Sequence, residues 1–202
     1  MGSTGEVMRV QKRPTYSYLL LVIVLILVDT FLAWISVALS PGVISGTGTA
    51  LIYVAVAFMI LFTLWFGMYG AIAAYVGGFF GAGIFNGMPA SVATYWALAN
   101  LWQVLIPLVA FRVFDVNVGM ESNRDLFHLV LFGVILNNLV GAAWGSIALA
   151  IGGLITPSQI MGVFGPWLVV NMLITILIVP IALGRLTPKV SGSKVFVRGY
   201  WF

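Results

Sequence analysis

Six runs of apolar residues, each close to the length that crosses a bilayer, occupy most of this chain and leave short connections between them. The hydrocarbon core of a membrane takes about 20 residues of helix, and a helix satisfies its own backbone hydrogen bonds there. The sequence therefore predicts an all-α integral membrane protein, built as a bundle of six transmembrane helices. The expected spans are residues 16–39, 50–66, 67–85, 90–111, 126–152 and 164–183.

Composition leaves little room for catalysis. Of 202 residues, 62% are hydrophobic and 7% are charged, and the chain has no cysteine, one histidine and five carboxylate side chains. Thiolate chemistry is excluded, and too few groups remain for a metal centre or an acid–base pair to be expected. We expect no enzymatic activity, no cofactor and no metal, and no feature of the sequence indicates binding to nucleic acid.

The positions of the charged residues predict the orientation of the bundle. With the N-terminus inside, all nine Lys and Arg residues fall on the cytoplasmic side, and the three outer loops carry no charge. This is the positive-inside pattern of multi-pass proteins of the cell membrane. The expected organisation is a cytoplasmic N-terminal segment at residues 1–15, a membrane domain at 16–184 and a basic cytoplasmic tail at 185–202.

The third span is unusually rich in small residues. Small side chains four residues apart allow close approach of helix backbones in a membrane, so this span is expected to be the central packing helix. The alternative is that glycine is simply common in transmembrane helices. A similar pattern in the fifth span suggests that the third and fifth helices pack together. The two rows of the third span are Gly70, Ala74, Gly78, Ala82 and Ala73, Gly77, Gly81, and the fifth span carries Gly141 and Gly145.

Asp29 is the only ionisable residue near the middle of a predicted span. Charged groups inside a membrane are costly and commonly functional, which predicts a proton, cation or ligand site. The alternative is a carboxyl group that burial keeps neutral. The sequence leaves both interpretations open.

Several amides and aromatic residues fall within the last three spans. Aromatic walls with a few convergent amides suit a pocket for a small, flat, polar molecule. Alternatively, the aromatic residues anchor the helices at the membrane interface and the amides bind helix to helix. The amides are Asn100, Gln103, Asn137, Asn138 and Asn171, and the aromatic residues are Tyr95, Trp96, Trp144 and Trp167.

Four stretches together resemble the substrate-binding S components of energy-coupling factor vitamin transporters. These are WFGMYGAIAAYVGGFFGAGI, ATYWALANLWQVLIPLVAFRVF, RDLFHLVLFGVILNNLVGAAWGSIALAIGG and GPWLVVNMLITILIVPIALGRL. The resemblance implies capture of a vitamin or similar micronutrient at the outer side, and docking to a membrane coupling subunit driven by cytoplasmic ATPases. It also implies ligand contacts at Tyr95, Trp96, Asn100, Asn138, Trp144, Trp167 and Asn171.

Two other functions remain open from the sequence. The same stretches are similar to the membrane-associated sensor domains of bacterial histidine kinases and diguanylate cyclases. A structural subunit of a larger membrane complex is the third alternative, in which the glycine-rich face packs against other chains and no pocket exists. The ligand-binding subunit predicts an enclosed cavity lined by the aromatic and amide side chains, whereas the structural subunit predicts that those side chains face lipid or another chain.

Overall fold

The computed structural model describes residues 15–40, 50 and 52–201, and within them every regular element is helical. The all-α fold class is thus confirmed for this part of the chain. The expected N-terminal segment falls on residues outside it, apart from Thr15. The helices are α1 at Thr15–Ala38, α2 at Ala55–Phe66, α3 at Met68–Asn86, α4 at Ala90–Val113, α5 at Asn123–Ile151 and α6 at Pro157–Val190.

Five of the six helices are long and apolar enough to cross a membrane, which indicates a multi-pass membrane protein. The exception is α2, whose 12 residues rise about 18 Å, well short of a hydrocarbon core of roughly 30 Å. The second span was expected from residue 50, but the helix begins at Ala55. The chain enters it through a tight turn, in which the Val56 amide donates to the Tyr53 carbonyl over 3.3 Å.

Local sequence signals place the helix boundaries. Between α2 and α3 the chain reverses at Gly67, whose φ of 61° is a left-handed value that favours glycine. A β-carbon there would also collide with the backbone carbonyl of Tyr200. Helix α5 begins with a capping box, because the Ser122 hydroxyl accepts from the Asp125 amide and the Asp125 carboxylate accepts from the Ser122 amide over 3.0 Å.

The short helix α2 is the most enclosed element of the bundle. Nine of its 12 residues are buried, and it packs against α1, α3, α4 and α6. The glycine-rich helix α3 was expected at the centre, yet residues such as Ile72 and Phe80 on it are exposed. Glycine allows close approach on one side of a helix, but it does not require neighbours on every side. The central helix is therefore α2.

The glycines of α3 make close contacts with three different helices. Gly70 lies against the backbone of Phe62 and Thr63 in α2, Gly81 against the backbone of Thr30 in α1, and Gly78 against α4. The glycines of α5 do not face α3, contrary to expectation. Instead, Gly141 lies against Gln103 of α4 and Gly145 against Trp167 of α6, because α5 packs between these two helices.

The last described residues, 191–201, form a C-terminal strap across one end of the bundle. The Val197 amide donates to the Trp65 carbonyl over 2.9 Å, and the Met68 amide donates to the Tyr200 carbonyl over 2.7 Å. Helix α6 runs on to Val190, so part of the expected basic tail is helix and part is this packed strap. We call this end the basic end, since it carries Arg112, Arg124, Arg185, Lys189, Lys194 and Arg198.

Candidate functional site

The described interior of the bundle contains nine polar side chains. Within the described residues, these side chains are almost completely shielded from solvent and come from five of the six helices. Burying a polar group is costly unless it is hydrogen-bonded, so each of them calls for a partner. The set consists of Asp29, Thr63, Asn100, Gln103, Asn137, Asn138, Ser146, Asn171 and Thr175.

One part of this set binds helices α4, α5 and α6 to each other. The Gln103 amide nitrogen donates to Asn138 Oδ1 over 2.7 Å, and Asn138 Nδ2 donates to the Val134 carbonyl over 2.8 Å and to Thr175 Oγ1 over 3.4 Å. Asn137 Nδ2 donates to the Gln103 carbonyl over 3.2 Å. These bonds account for Asn138, whose main contribution here is to hold three helices in register.

A second part lies around adjacent glycines of α3. Gly77 packs against the carboxyl group of Asp29, and Gly78 packs against the side-chain amide of Asn100. Asn100 Nδ2 donates to the Tyr53 hydroxyl over 3.4 Å, and Asp29 and Asn100 lie against adjacent residues of α3. Because the glycines have no side chains, α1, α4 and the segment before α2 bring these three polar groups together. We call Asp29, Tyr53 and Asn100 the acidic cluster.

Aromatic rings lie next to these polar groups, farther from the basic end. The indole rings of Trp96 and Trp167 are 5.7 Å apart, and Gly145 provides the space for Trp167. Trp96 and Asn100 are four residues apart on α4, as Trp167 and Asn171 are on α6, so each indole lies one turn from an amide on the same side of its helix. The structure thus brings together four of the predicted residues.

Eight polar atoms of the described interior have no hydrogen-bond partner. In native proteins most buried polar atoms are paired, so such a concentration needs an explanation. A small ligand with complementary groups, or ordered water, would satisfy them. The atoms are Asp29 Oδ1 and Oδ2, Thr63 Oγ1, Trp96 Nε1, Asn100 Oδ1, Gln103 Oε1, Asn137 Oδ1 and Asn171 Nδ2.

Two predicted ligand contacts lie away from this group. Trp144 is 39% exposed on the outer surface of the bundle, where its ring packs against Trp102 and its indole nitrogen donates to the Tyr95 carbonyl over 2.8 Å. Tyr95 is half-buried, with its hydroxyl beside Gly152. Both residues therefore suit an aromatic anchor at the edge of the membrane better than the wall of an interior pocket.

Sequence reasoning did not single out Tyr53, Thr63 or Thr175. Tyr53 is next to a predicted span end, where a tyrosine is ordinarily an interfacial anchor. Its 6% exposure shows that it points into the bundle. No sequence signal identified it, because the late start of α2 at Ala55 is visible only in the structure.

A cavity of about 420 Å³ opens at the basic end, between α6, the 114–122 loop and the C-terminal strap. Arg112 contributes to its wall, but its guanidinium group already donates to the carbonyls of Gly199 over 2.9 Å, Val197 over 3.1 Å and Leu64 over 3.3 Å. The other charged lining residues, Glu121 and Arg198, are exposed. The main role of Arg112 is thus to fasten the strap, and we place the candidate site in the interior.

Comparison of the chain with family models, with curated proteins and with solved structures finds no match. Among the described residues, no group of three or more His, Asp and Glu side chains is arranged to hold a metal ion. The candidate site is therefore defined by its own chemistry, namely buried amides, two indole rings and one carboxyl group.

Proposed function

We propose that this chain is the substrate-binding subunit of a membrane transporter for a small micronutrient, and that the ligand binds inside the bundle. In this proposal the six helices all belong to the membrane domain in the cell membrane. The N-terminus and the C-terminal strap face the cytoplasm, because the positive-inside rule assigns the basic end to that side. The ligand then enters from the opposite, outer end.

The observation that carries the proposal is the set of unpartnered polar atoms in the interior, three of which are Trp96 Nε1 and the side-chain atoms of Asn100 and Asn171, one turn from the paired Trp96 and Trp167 rings. A purely structural bundle gains nothing from buried groups that stay unsatisfied, since each costs about 1–3 kcal/mol. Binding sites, in contrast, commonly keep polar groups ready for a ligand and accept a loss of stability in its absence. Stacking surface and hydrogen-bonding atoms together suit a flat, polar molecule such as a vitamin.

The depth of these groups is consistent with entry from the outer end. Asn100 lies ten residues after Ala90 and Asn171 lies fourteen residues after Pro157, so they are about 15 Å and 21 Å from the starts of their helices. Trp96 and Trp167 are one turn nearer to the outer end. A ligand that enters from the outer end would pass between the two indole rings and then reach the amides of Asn100 and Asn171.

The transport role and its partners rest on the resemblance to S components of energy-coupling factor transporters. In that arrangement this chain binds the substrate, a membrane coupling subunit docks beside it, and two cytoplasmic ATPases drive uptake. A gene neighbourhood that encodes such ATPases supports this part of the proposal. A neighbourhood that encodes kinase or cyclase output domains favours the sensor instead.

The binding role is tested by a thermal-shift screen of the detergent-purified protein against vitamins, their precursors and nucleobases. A ligand that binds only the folded state increases the free energy of unfolding, by about 2.7 kcal/mol at a ligand concentration of 100 times its Kd. The melting temperature rises as a result. We expect at least one compound of this panel to give a clear shift. No shift across the panel would contradict the proposal and favour a structural subunit.

Two tryptophans provide a matched pair of variants for the same assay. Trp96→Phe removes an indole nitrogen that is buried and unpartnered, whereas Trp144→Phe removes one that is bonded at the surface. We expect Trp96→Phe to weaken binding of the identified compound about tenfold, which is the loss of one hydrogen bond of about 1.4 kcal/mol. Equal affinity of both variants would exclude Trp96 from the site.

A further inference from the structure

Asp29 is the one carboxyl group in the described interior of the bundle. It is fully buried, both of its oxygens lack a hydrogen-bond partner, and it lies nine residues before the end of α1 at Ala38, or about 13 Å deep. Every described Lys and Arg lies at the basic end, so no side chain of the interior carries a compensating positive charge. A carboxyl group in this position is costly for stability alone, which points to a function.

The neighbours of Asp29 make it part of a built site. The glycine surface of α3 closes one side, since a β-carbon on Gly77 would lie 2.8 Å from Asp29 Cβ. The Asn100 amide lies against Gly78, the next residue of α3, and donates to the Tyr53 hydroxyl. Asn100 Oδ1 remains unpartnered, so the acidic cluster offers three free acceptor oxygens from two side chains.

The balance of free donors and acceptors indicates the chemistry of the missing partner. Apart from Thr63, whose hydroxyl can do both, the unpartnered interior atoms comprise five oxygens and two nitrogens. The oxygens accept hydrogen bonds and the nitrogens donate them. Rotation of an amide would exchange its two roles, whereas the Asp29 carboxyl group only accepts once it is ionised. A positive N–H group beside Asp29 favours the ionised form, so a donor-rich cation complements this set of atoms.

We infer that the acidic cluster binds the cationic N–H group of the transported ligand, such as a primary ammonium, an amidinium or a protonated heterocycle. The inference rests on the proposed function and adds the substrate class to it. An N–H cation satisfies Asp29 by charge and hydrogen bonds together, and its remaining donors reach Asn100 Oδ1 and the Tyr53 hydroxyl. The adjacent Trp96 and Trp167 rings then contact the aromatic part of the ligand.

The experiment compares probes that differ in charge, using thermal shift and then isothermal titration calorimetry on the detergent-purified full chain. Pyridoxamine and pyridoxine form a closely matched pair, since an aminomethyl group in one replaces a hydroxymethyl group in the other. Agmatine is a further N–H cation, riboflavin is neutral, and biotin and pantothenate are anions. Sodium chloride and choline chloride supply positive charge without N–H donors.

The variant Asp29→Asn removes the charge with little change of shape, and Asp115→Asn is its matched control. Asp115 is exposed and has a φ of 49°, a conformation that Asn tolerates well. We expect an N–H cation to bind the native chain and to lose affinity by about 30-fold or more in Asp29→Asn, as when one partner of a buried charge pair is removed. Asp115→Asn should bind as the native chain does.

The ligand-free protein supplies a second readout. Because Asp29 has no hydrogen-bond partner without ligand, ligand-free Asp29→Asn should melt at the same temperature as the native chain or at a higher one. The variant should nevertheless bind the cation more weakly. Equal binding of the cation by Asp29→Asn, or equal shifts from sodium or choline, would overturn the inference. Binding of riboflavin, biotin or pantothenate without any N–H cation would overturn it and leave the proposed function standing, whereas no binding by these probes or by the wider panel of vitamins, precursors and nucleobases would overturn both.

Discussion

The contact between Gly70 and helix α2 predicts a large effect from one added methyl group. A β-carbon at this position would lie 2.5 Å from the carbonyl carbon of Phe62 and 2.5 Å from the amide nitrogen of Thr63. Both are backbone atoms of the most enclosed helix, so they cannot rotate away as a side chain does. To restore ordinary contact near 3.4 Å, α2 and α3 would have to separate by about 1 Å.

The size of this effect follows from packing energetics. Adding a methyl group to a close-packed interior costs about 1–3 kcal/mol, and the upper part of this range applies when backbone must move. For a chain of about 200 residues, this corresponds to a fall in melting temperature of about 2–12 °C. At Gly184 in α6, in contrast, the nearest atom to an added β-carbon is 4.0 Å away. Alanine there should stabilise the helix by about 0.5–1 kcal/mol.

The assay is thermal unfolding of both variants in the same detergent, followed by intrinsic tryptophan fluorescence. We expect Gly70→Ala to melt several degrees below the native chain, and Gly184→Ala to melt at or slightly above it. Similar melting temperatures for the two variants would refute the close approach of α3 to α2. They would show that glycine is present in α3 for reasons unrelated to packing.

Two further predictions concern polar contacts. Arg112→Met should lower the free energy of unfolding by about 2 kcal/mol, because it removes a charged group that is bonded to three backbone carbonyls. The control Arg124→Met removes one exposed hydrogen bond and should cost much less. Limited proteolysis should cut the C-terminal strap faster in Arg112→Met only, and equal rates in both variants would contradict the prediction. Asn138→Ala should lower the free energy of unfolding by about 2–3 kcal/mol, because it leaves hydrogen-bond partners on three helices unsatisfied. The exposed control Asn123→Ala should change it very little, and thermal unfolding of both variants tests this.

Much of the fold follows directly from hydropathy. Long apolar runs with Gly, Pro and Asn between them predict helices and their approximate bounds, because the membrane allows few alternatives. The enclosure of α2 could not be predicted in the same way. Its 12 residues look like part of a seventeen-residue span, and only the packing of four helices around it makes it the centre.

The candidate site shows the same limit at the level of single residues. The polar residues in the spans were recognisable, because each is costly in a membrane. Which of them have partners was not recognisable. Asn137 and Trp144 are seven residues apart and lie on nearly the same side of α5, yet Asn137 is fully buried and Trp144 is 39% exposed. Burial depends on the neighbouring helix, and one sequence does not contain that information.

The central claim is that a small molecule binds inside this bundle, and native mass spectrometry of the intact protein tests it most directly. The protein is purified in detergent from cells grown in rich medium, together with the Trp96→Phe variant, and the bound molecule is identified after release. The proposal predicts one small-molecule adduct per chain on the native protein and a much weaker one on the variant. A bare protein mass, or the same lipid adducts on both proteins, would contradict it.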